Sequence, residues 1–273
     1  MKSKIIYPIQ PFFVMNTEEY YKHPVRDSIG AHFYRFRTKS RLKKENGAVP
    51  DGTADIIFRC DANHPQAILA GGVNSKEQNI FEADTDYFGI RLLPGALEQL
   101  CVISGGELGD HLVDFSDVSR QPAAIEKICT QHSFENQIAL FLNAFPDFTE
   151  RQAKTRQEEI CLAILDCLYR FEGNCTMSRL ENELCYSRQH LSRVFKGFTG
   201  MEIKQLSMIL RFQSSLHKLN QGDGGSLASL SAAKGYYDQA HFQKEFLKFS
   251  GITPAHYQAL IREYQYQKRI KLV

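Results

Sequence analysis

No stretch of the 273-residue chain approaches the ~18–20 uninterrupted apolar residues of a membrane-spanning helix. A secretory apolar region is also missing, because Met1-Lys2-Ser3-Lys4 leads into only Ile5-Ile6-Tyr7 before Pro8. Together these absences imply a cytoplasmic protein with no membrane partner. The seven cysteines are odd in number, include no Cys-x-x-Cys pair and have no Cys/His spacing suited to zinc, so a disulfide framework is not expected. Cys161, between Ile160 and Leu162, reads as a small buried hydrophobe. The histidines form no His-x-His or His-x-x-x-His pair, and neither a metal nor another cofactor is expected. No Ser/His/Asp set or defensible carboxylate pair is present, since Asp51, Asp55, Asp84 and Asp86 read as turn residues; the chain is not read as an enzyme.

What is present is an ordinary globular composition, 43% apolar and 23% charged, with length enough for two domains. The net charge of +2 conceals a division. Residues 1–150 hold 15 Lys/Arg against 20 Asp/Glu, whereas residues 151–273 hold 18 against 11. The basic half suits a polyanionic partner. The Phe145-Pro146-Asp147-Phe148-Thr149 segment interrupts a helical pattern near the same point, giving expected domains at 1–150 and 151–273.

Residues 1–95 read as short strands. Ile29–Arg37, Ala54–Cys60, Ala67–Val73 and Tyr87–Leu93 are rich in β-branched or aromatic residues and are separated by turns such as Pro50-Asp51-Gly52 and Pro94-Gly95. Ala96–Ser104, Pro122–Gln131 and Ser133–Phe145 then show helical spacing, with Ser133 as a cap. The fold class is therefore α+β: a mostly-β N-terminal barrel or sheet with helices, then an all-helical region. Phe33, Phe36, Phe58 and Phe88 are candidates to line a ligand pocket in the first half, with plain core packing as the alternative.

The second half contains an internal repeat. Thr176–Leu184 is a short helix, and after the Cys185-Tyr186-Ser187 turn, Ser187 caps Arg188–Phe198 with an inward stripe of Leu191, Val194, Phe195 and Phe198. Following a helix over Glu202–Leu219 and a Gln221-Gly222-Asp223-Gly224-Gly225 break, Leu227–Lys234 and a turn lead to Asp238. This second cap starts Gln239–Phe249, with its Phe242, Phe246 and Phe249 stripe. SRQHLSRVFKGFTG and DQAHFQKEFLKFSG share cap, apolar and glycine positions, and their caps lie 51 residues apart. A short helix, a tight turn and a capped amphipathic helix form the unit that places its second helix in a DNA major groove. The outward residues Arg188, Gln189, His190, Ser192, Arg193 and Lys196 of the first copy suit that role, as do Gln239, Ala240, His241, Gln243, Lys244 and Lys248 of the second, together with the acidic Glu245. The 18-residue connector would be ~27 Å long, enough with its turns to hold two such helices about one DNA turn apart.

Residues 155–273 resemble the DNA-binding domain of the AraC/XylS family of bacterial transcription regulators. The resemblance is carried by Gly235–Tyr257, GYYDQAHFQKEFLKFSGITPAHY, in which Gly251, Thr253, Pro254 and Tyr257 match the family signature. It is supported by Ser187, Leu191, Arg193, Phe195, Lys196, Gly200 and the connector's Arg211. The resemblance implies base reading by Gln189, Ser192 and Arg193 and by Gln239, Gln243 and Lys244, with Arg188, Lys196 and Lys248 on phosphates. Lys244 stands where arginine is commoner, Ala240-His241 replace a Ser-Tyr pair, and Leu247 replaces a frequent lysine. The first helix is therefore expected to be the more selective. Phe88–Leu92 before Pro94-Gly95-Ala96 and Asp55–Phe58 after Pro50-Asp51-Gly52 resemble the cupin-like N-terminal domain of many members.

The implied function is a sequence-specific transcription activator that binds double-stranded promoter DNA, contacts RNA polymerase, forms a homodimer and answers to a small-molecule effector or a regulatory protein. The alternatives are an N-terminal domain that only dimerises or docks a partner protein, and a small-molecule enzyme tethered to DNA.

Overall fold

A computed structural model of the chain describes residues 8–25, 30–39, 48–72, 81–149, 153, 155–222 and 226–273. Ile29, Val73 and the Asp223-Gly224-Gly225 break anticipated above lie outside these residues. In chain order the elements are α1 (Pro11–Met15), β1 (Thr17–Pro24), β2 (Gly30–Thr38), β3 (Ala54–Arg59), β4 (Gln66–Ala70), β5 (Asp86–Leu92), α2 (Gly105–Leu108), β6 (Leu112–Asp114), α3 (Phe115–Val118), α4 (Ala123–Cys129) and α5 (Phe134–Ala144). Then follow α6 (Arg156–Arg170), α7 (Met177–Leu184), α8 (Arg188–Thr199), α9 (Ile203–Asn220), α10 (Leu227–Ala233), α11 (Gln239–Ser250), α12 (Pro254–Glu263), α13 (Tyr266–Arg269) and β7 (Ile270–Leu272). The α+β class holds, with a β-rich first part and a helical second part.

The strands form one seven-stranded sheet in the order β6-β4-β3-β5-β2-β1-β7. Strand alternation sends Phe33, Ile56, Phe58, Leu69, Phe88 and Ile90 to one face, where they pack with Phe115, Ile128, Phe134 and Phe141 of α3, α4 and α5. The opposite face presents Tyr20, Tyr34, Phe36, Ile57 and Tyr87, and this face packs on Phe212 and Leu216 of α9 and on Phe242 and Phe246 of α11. The sheet is thus covered on one side by its own helices and on the other by the helical half of the chain.

Two elements depart from the sequence expectation. Ala96–Ser104 forms only a short 3₁₀ turn over Leu97–Gln99, and Ser104 instead caps α2 in a reciprocal capping box with Glu107. The helical half also ends in a strand: β7 runs parallel to β1, pairing Tyr20 with Ile270 and Lys22 with Leu272. Lys271 lies 3.7 Å from Glu19, and the Arg269 guanidinium donates to the Thr17 carbonyl. This strand gains its stability from a partner some 250 residues away, which no local pattern records.

Asp55 is a further correction. It lies not in a turn but within β3, where it accepts from Arg91 on β5 at 3.0 Å (Nε to Oδ1) and 2.9 Å (Nη2 to Oδ2). Asp51 stands 3.5 Å from the same guanidinium and accepts from Gln10 at 2.7 Å and from the Thr53 hydroxyl at 2.6 Å. Arg91 is 1% exposed. Burial opposes its charge, yet the two carboxylates hold it firmly protonated. Burial likewise pushes Asp55 above its ordinary range, against the pull of Arg91.

Removing one member of such a cluster strands the opposite charge. Arg91→Ala is expected to destabilise the chain by about 3–5 kcal/mol in urea unfolding; a loss below about 1 kcal/mol would mean that water reaches the carboxylates.

Candidate nucleic-acid interface

The two helix-turn-helix units are built by local chemistry. Ser187 and Asp238 cap α8 and α11, accepting from the backbone N–H of His190 at 3.4 Å and of His241 at 2.7 Å. Gly200 and Gly251 end these helices at φ 75° and 79°, a backbone region that favours glycine. Gly200 has a second reason to lack a side chain, since a Cβ there would stand 2.5 Å from the Gly105 carbonyl oxygen on α2.

Inward stripes fix what faces out. Leu191, Val194 and Phe195 are buried, leaving Arg188, Gln189, Arg193 and Lys196 exposed and Ser192 half-buried. Phe242 and Phe246 are buried, leaving Gln239, Gln243, Lys244 and Lys248 exposed. Each of the nine residues expected to meet DNA is therefore at least partly accessible. Lys196 lies 2.7 Å from Glu202, and Arg188 lies 3.7 Å from Glu181. These exposed pairs are individually weak and can be exchanged for phosphate.

Glu245 is not on this face, contrary to the sequence reading. It is 5% exposed and accepts from Arg211 of α9 at 3.0 Å, while the Arg211 guanidinium lies 4.6 Å from the centre of the Tyr236 ring. Its spacing of three from Phe242 puts it beside the inward stripe, and Arg211 supplies the charge that makes this burial tolerable. The exposed face of α11 is left basic and neutral.

Helix α9 sets the relation of the two units. Ile203, Leu206 and Leu210 pack with α6 and α8, whereas Phe212, Leu216 and Leu219 pack with α11, α12 and the sheet. The units also meet directly: Lys234, in the turn after α10, lies 2.6 Å from Glu172 in the loop after α6. Ser214 of α9 joins this pair, donating to Glu172 and accepting from Lys234. Gln213 ties α9 to the first half, accepting from the Ile9 N–H at 3.0 Å and donating to the Pro50 carbonyl at 2.8 Å.

The aromatic candidates divide between the two sheet faces. Phe33, Phe58 and Phe88 are together, with ring centres 6.0 Å apart for Phe33–Phe88 and 5.5 Å for Phe58–Phe88, and Phe141 and Phe148 fill the space beside Phe33. Phe36 faces the other way, against Phe81 and Tyr87. None of the four lines the cleft of about 180 Å³ where Gly52, Pro94 and Asp110 meet Thr199 and Met201. Nor do they line the cleft of about 330 Å³ between α9, α10 and α12, lined by Leu219, Leu230, Ile261 and Arg262. Among the described residues no helix is long and apolar enough to cross a membrane.

Two capped helices, each presenting donors and cations from a helix-turn-helix unit, define a DNA-binding protein. Residues 180–259 match a family of helix-turn-helix domains, and residues 27–114 match a domain of unknown function, DUF6597. The chain is 26% identical over 229 residues to the raffinose operon transcriptional regulatory protein RafR of Pediococcus pentosaceus, covering 73% of this chain and 80% of RafR. Among solved structures it is similar to ToxT of Vibrio cholerae, with 14% identity, 89% and 98% coverage of the two chains and a TM-score of 0.41. It is also similar to the C-terminal domain of AraT, a response regulator of Geobacillus stearothermophilus, with 22% identity, 38% and 88% coverage and a TM-score of 0.35. The helix-turn-helix match and the similarity to RafR support an AraC-type DNA-binding transcription regulator.

The Arg211–Glu245 pair generates a prediction of its own. Glu245→Ala leaves a half-buried guanidinium without its carboxylate and should cost about 2–4 kcal/mol in unfolding stability, while leaving the exposed side chains of α8 in place. An unchanged melting temperature would contradict this role.

Proposed function

We propose that α8 and α11 enter two successive major grooves of one promoter half-site. Gln189, Ser192, Arg193, Gln239, Gln243 and Lys244 read base edges, and Arg188, Lys196 and Lys248 hold phosphates. The observation that carries this reading is the pair of helices on α9, each capped by a side chain at its start and stopped by a left-handed glycine, with polar and basic residues facing out. In this account residues 151–273 are the DNA-binding domain of a cytoplasmic activator that works as a homodimer and contacts RNA polymerase. Residues 1–150 are the sensing and dimerisation domain. A small-molecule effector in the first half acts through the sheet face that shares a core with α9 and α11. It shifts occupancy only if its affinity differs between two arrangements of the sheet and helices.

A second reading has a specific observation in its favour. Phe33, Phe58 and Phe88 are no more than 1% exposed and pack ring to ring, so this part of the first half is filled by its own side chains. That favours control by a partner protein or a second copy over control by a molecule held among these three rings.

The experiment selects high-affinity sites from random-sequence DNA with the full chain and then measures affinity on the selected and the scrambled sequence. Arg193→Ala should cost about 1–3 kcal/mol on the selected site and relax preference at one base. Equal losses on both sequences would make Arg193 a phosphate contact instead. With Arg188, Lys196 and Lys248 on phosphates, the logarithm of affinity should fall against the logarithm of salt with a slope of roughly −3, and a flat response would contradict the electrostatic part of the reading.

A further inference from the structure

The two helix-turn-helix copies use one matching position differently. The residue before each cap is a tyrosine, Tyr186 before Ser187 and Tyr237 before Asp238. Tyr186 is already engaged. Its ring stacks on His190 at 4.9 Å and 17°, and its hydroxyl accepts from Arg156 Nε at 3.3 Å and Nη2 at 3.2 Å. Tyr237 is 92% exposed, and among the described residues its side chain has no hydrogen bond or ring contact. The other exposed large apolar side chains fall well below it, with Leu272 at 73% and Val102 at 63%.

An aromatic ring held almost wholly in water does nothing for the fold. Its position says what it can do. Tyr237 directly precedes Asp238 and Gln239, at the N-terminal entry of α11, and in this class of unit the N-terminal residues of the second helix are the ones brought against DNA. A phenol is among the side chains that donate to phosphate oxygens and so set register without carrying sequence information. The cations of the second unit, Lys244 and Lys248, are point charges without the planar fork that Arg188 and Arg193 give the first, so a directional phenol adds what they lack.

We propose that Tyr237 is a further DNA contact: its hydroxyl donates to a backbone phosphate at the edge of the groove entered by α11 and orients that helix. This rests on the DNA-binding reading above. It assigns the tyrosine of the second copy to the nucleic acid, whereas the tyrosine of the first copy is spent within the protein.

The test uses the full chain and the DNA selected by the wild-type protein, with Tyr237→Phe and Tyr237→Ala compared on selected and scrambled duplexes. Because the residue is exposed, both variants should melt at the wild-type temperature. Loss of one hydrogen bond to a charged group should weaken Tyr237→Phe about tenfold. The loss should be the same on both duplexes, with the salt slope unchanged, and Tyr237→Ala should lose at least as much. Wild-type affinity in Tyr237→Phe overturns the proposal, whether or not Tyr237→Ala is weakened, because the hydroxyl would then have no role. A loss confined to the selected duplex also overturns it, by making the contact one to a base. Failure of the wild-type chain to bind duplex DNA would defeat the DNA-binding reading itself, and this contact with it.

Discussion

Burial of α9 on several sides at once is the constraint on which the rest of the molecule depends. Of its 18 residues, Leu206, Ile209, Leu210, Phe212, Gln213, Ser215 and Leu216 are no more than 2% exposed. A helix of this length is about 27 Å long, and such a helix in water would be marginal by itself. Here the first helix-turn-helix unit covers one stripe, the second unit covers another, and the first half of the chain closes over the remainder through Gln213. Two units whose sequences would allow independent movement are therefore held in one relative position. The Lys234–Glu172 pair and Ser214 reinforce that position from outside the apolar core.

The same packing joins the sheet to the helix-turn-helix units. Tyr20, Tyr34 and Phe36 of the sheet belong to one apolar cluster with Phe212 of α9 and Phe246 of α11, and Ala31 of β2 and Leu93 after β5 belong to a second cluster with α6 and α8 of the first unit. Beneath the shared cluster lies the Arg91–Asp51–Asp55 group, which is buried, charged and directional. Charged groups of this kind tolerate few alternative geometries, because each lost partner leaves an uncompensated ion. A change in the sheet would thus reach α11 and α8 alike through close-packed groups, since Gly105 of α2 also lies against Thr199 and Gly200 at the end of α8. Strand β7 adds a covalent route, since the chain leaving α12 returns to the sheet edge beside β1.

Local features of this architecture were legible in the sequence, and long-range ones were not. Ser133, Ser187 and Asp238 act as caps and Gly200 and Gly251 as stops because these roles depend on a few neighbouring residues. The inward stripes of α8 and α11 follow from helical spacing alone. Glu245 was misplaced because its partner, Arg211, is 34 residues away, and a glutamate beside an apolar stripe reads as solvent-exposed until that partner is known. The β1 segment Thr17–Pro24 was missed for a related reason: Glu18, Glu19, Lys22 and His23 dilute its pattern, and only Thr17 and Tyr20 are buried. For the aromatic candidates, the odd separation of Phe33 and Phe36 within one strand already assigned them to opposite faces. Which face would be closed by α5 and which by α9 depended on contacts the sequence pattern does not encode.

In the proposed function α9 holds α8 and α11 rigidly enough for them to read two grooves together. That rigidity is tested most directly by a spacing series in the selected DNA site, inserting 1, 2 and about 5 base pairs between the segments contacted by the two helices, with the largest insertion turning them to opposite faces of the duplex. Each insertion is expected to remove the second helix's contribution, so that affinity falls to that of a single-segment site and stays there. Affinity that is unchanged by the insertions would contradict it, because the two helices would then be moving independently or only one of them would be engaged.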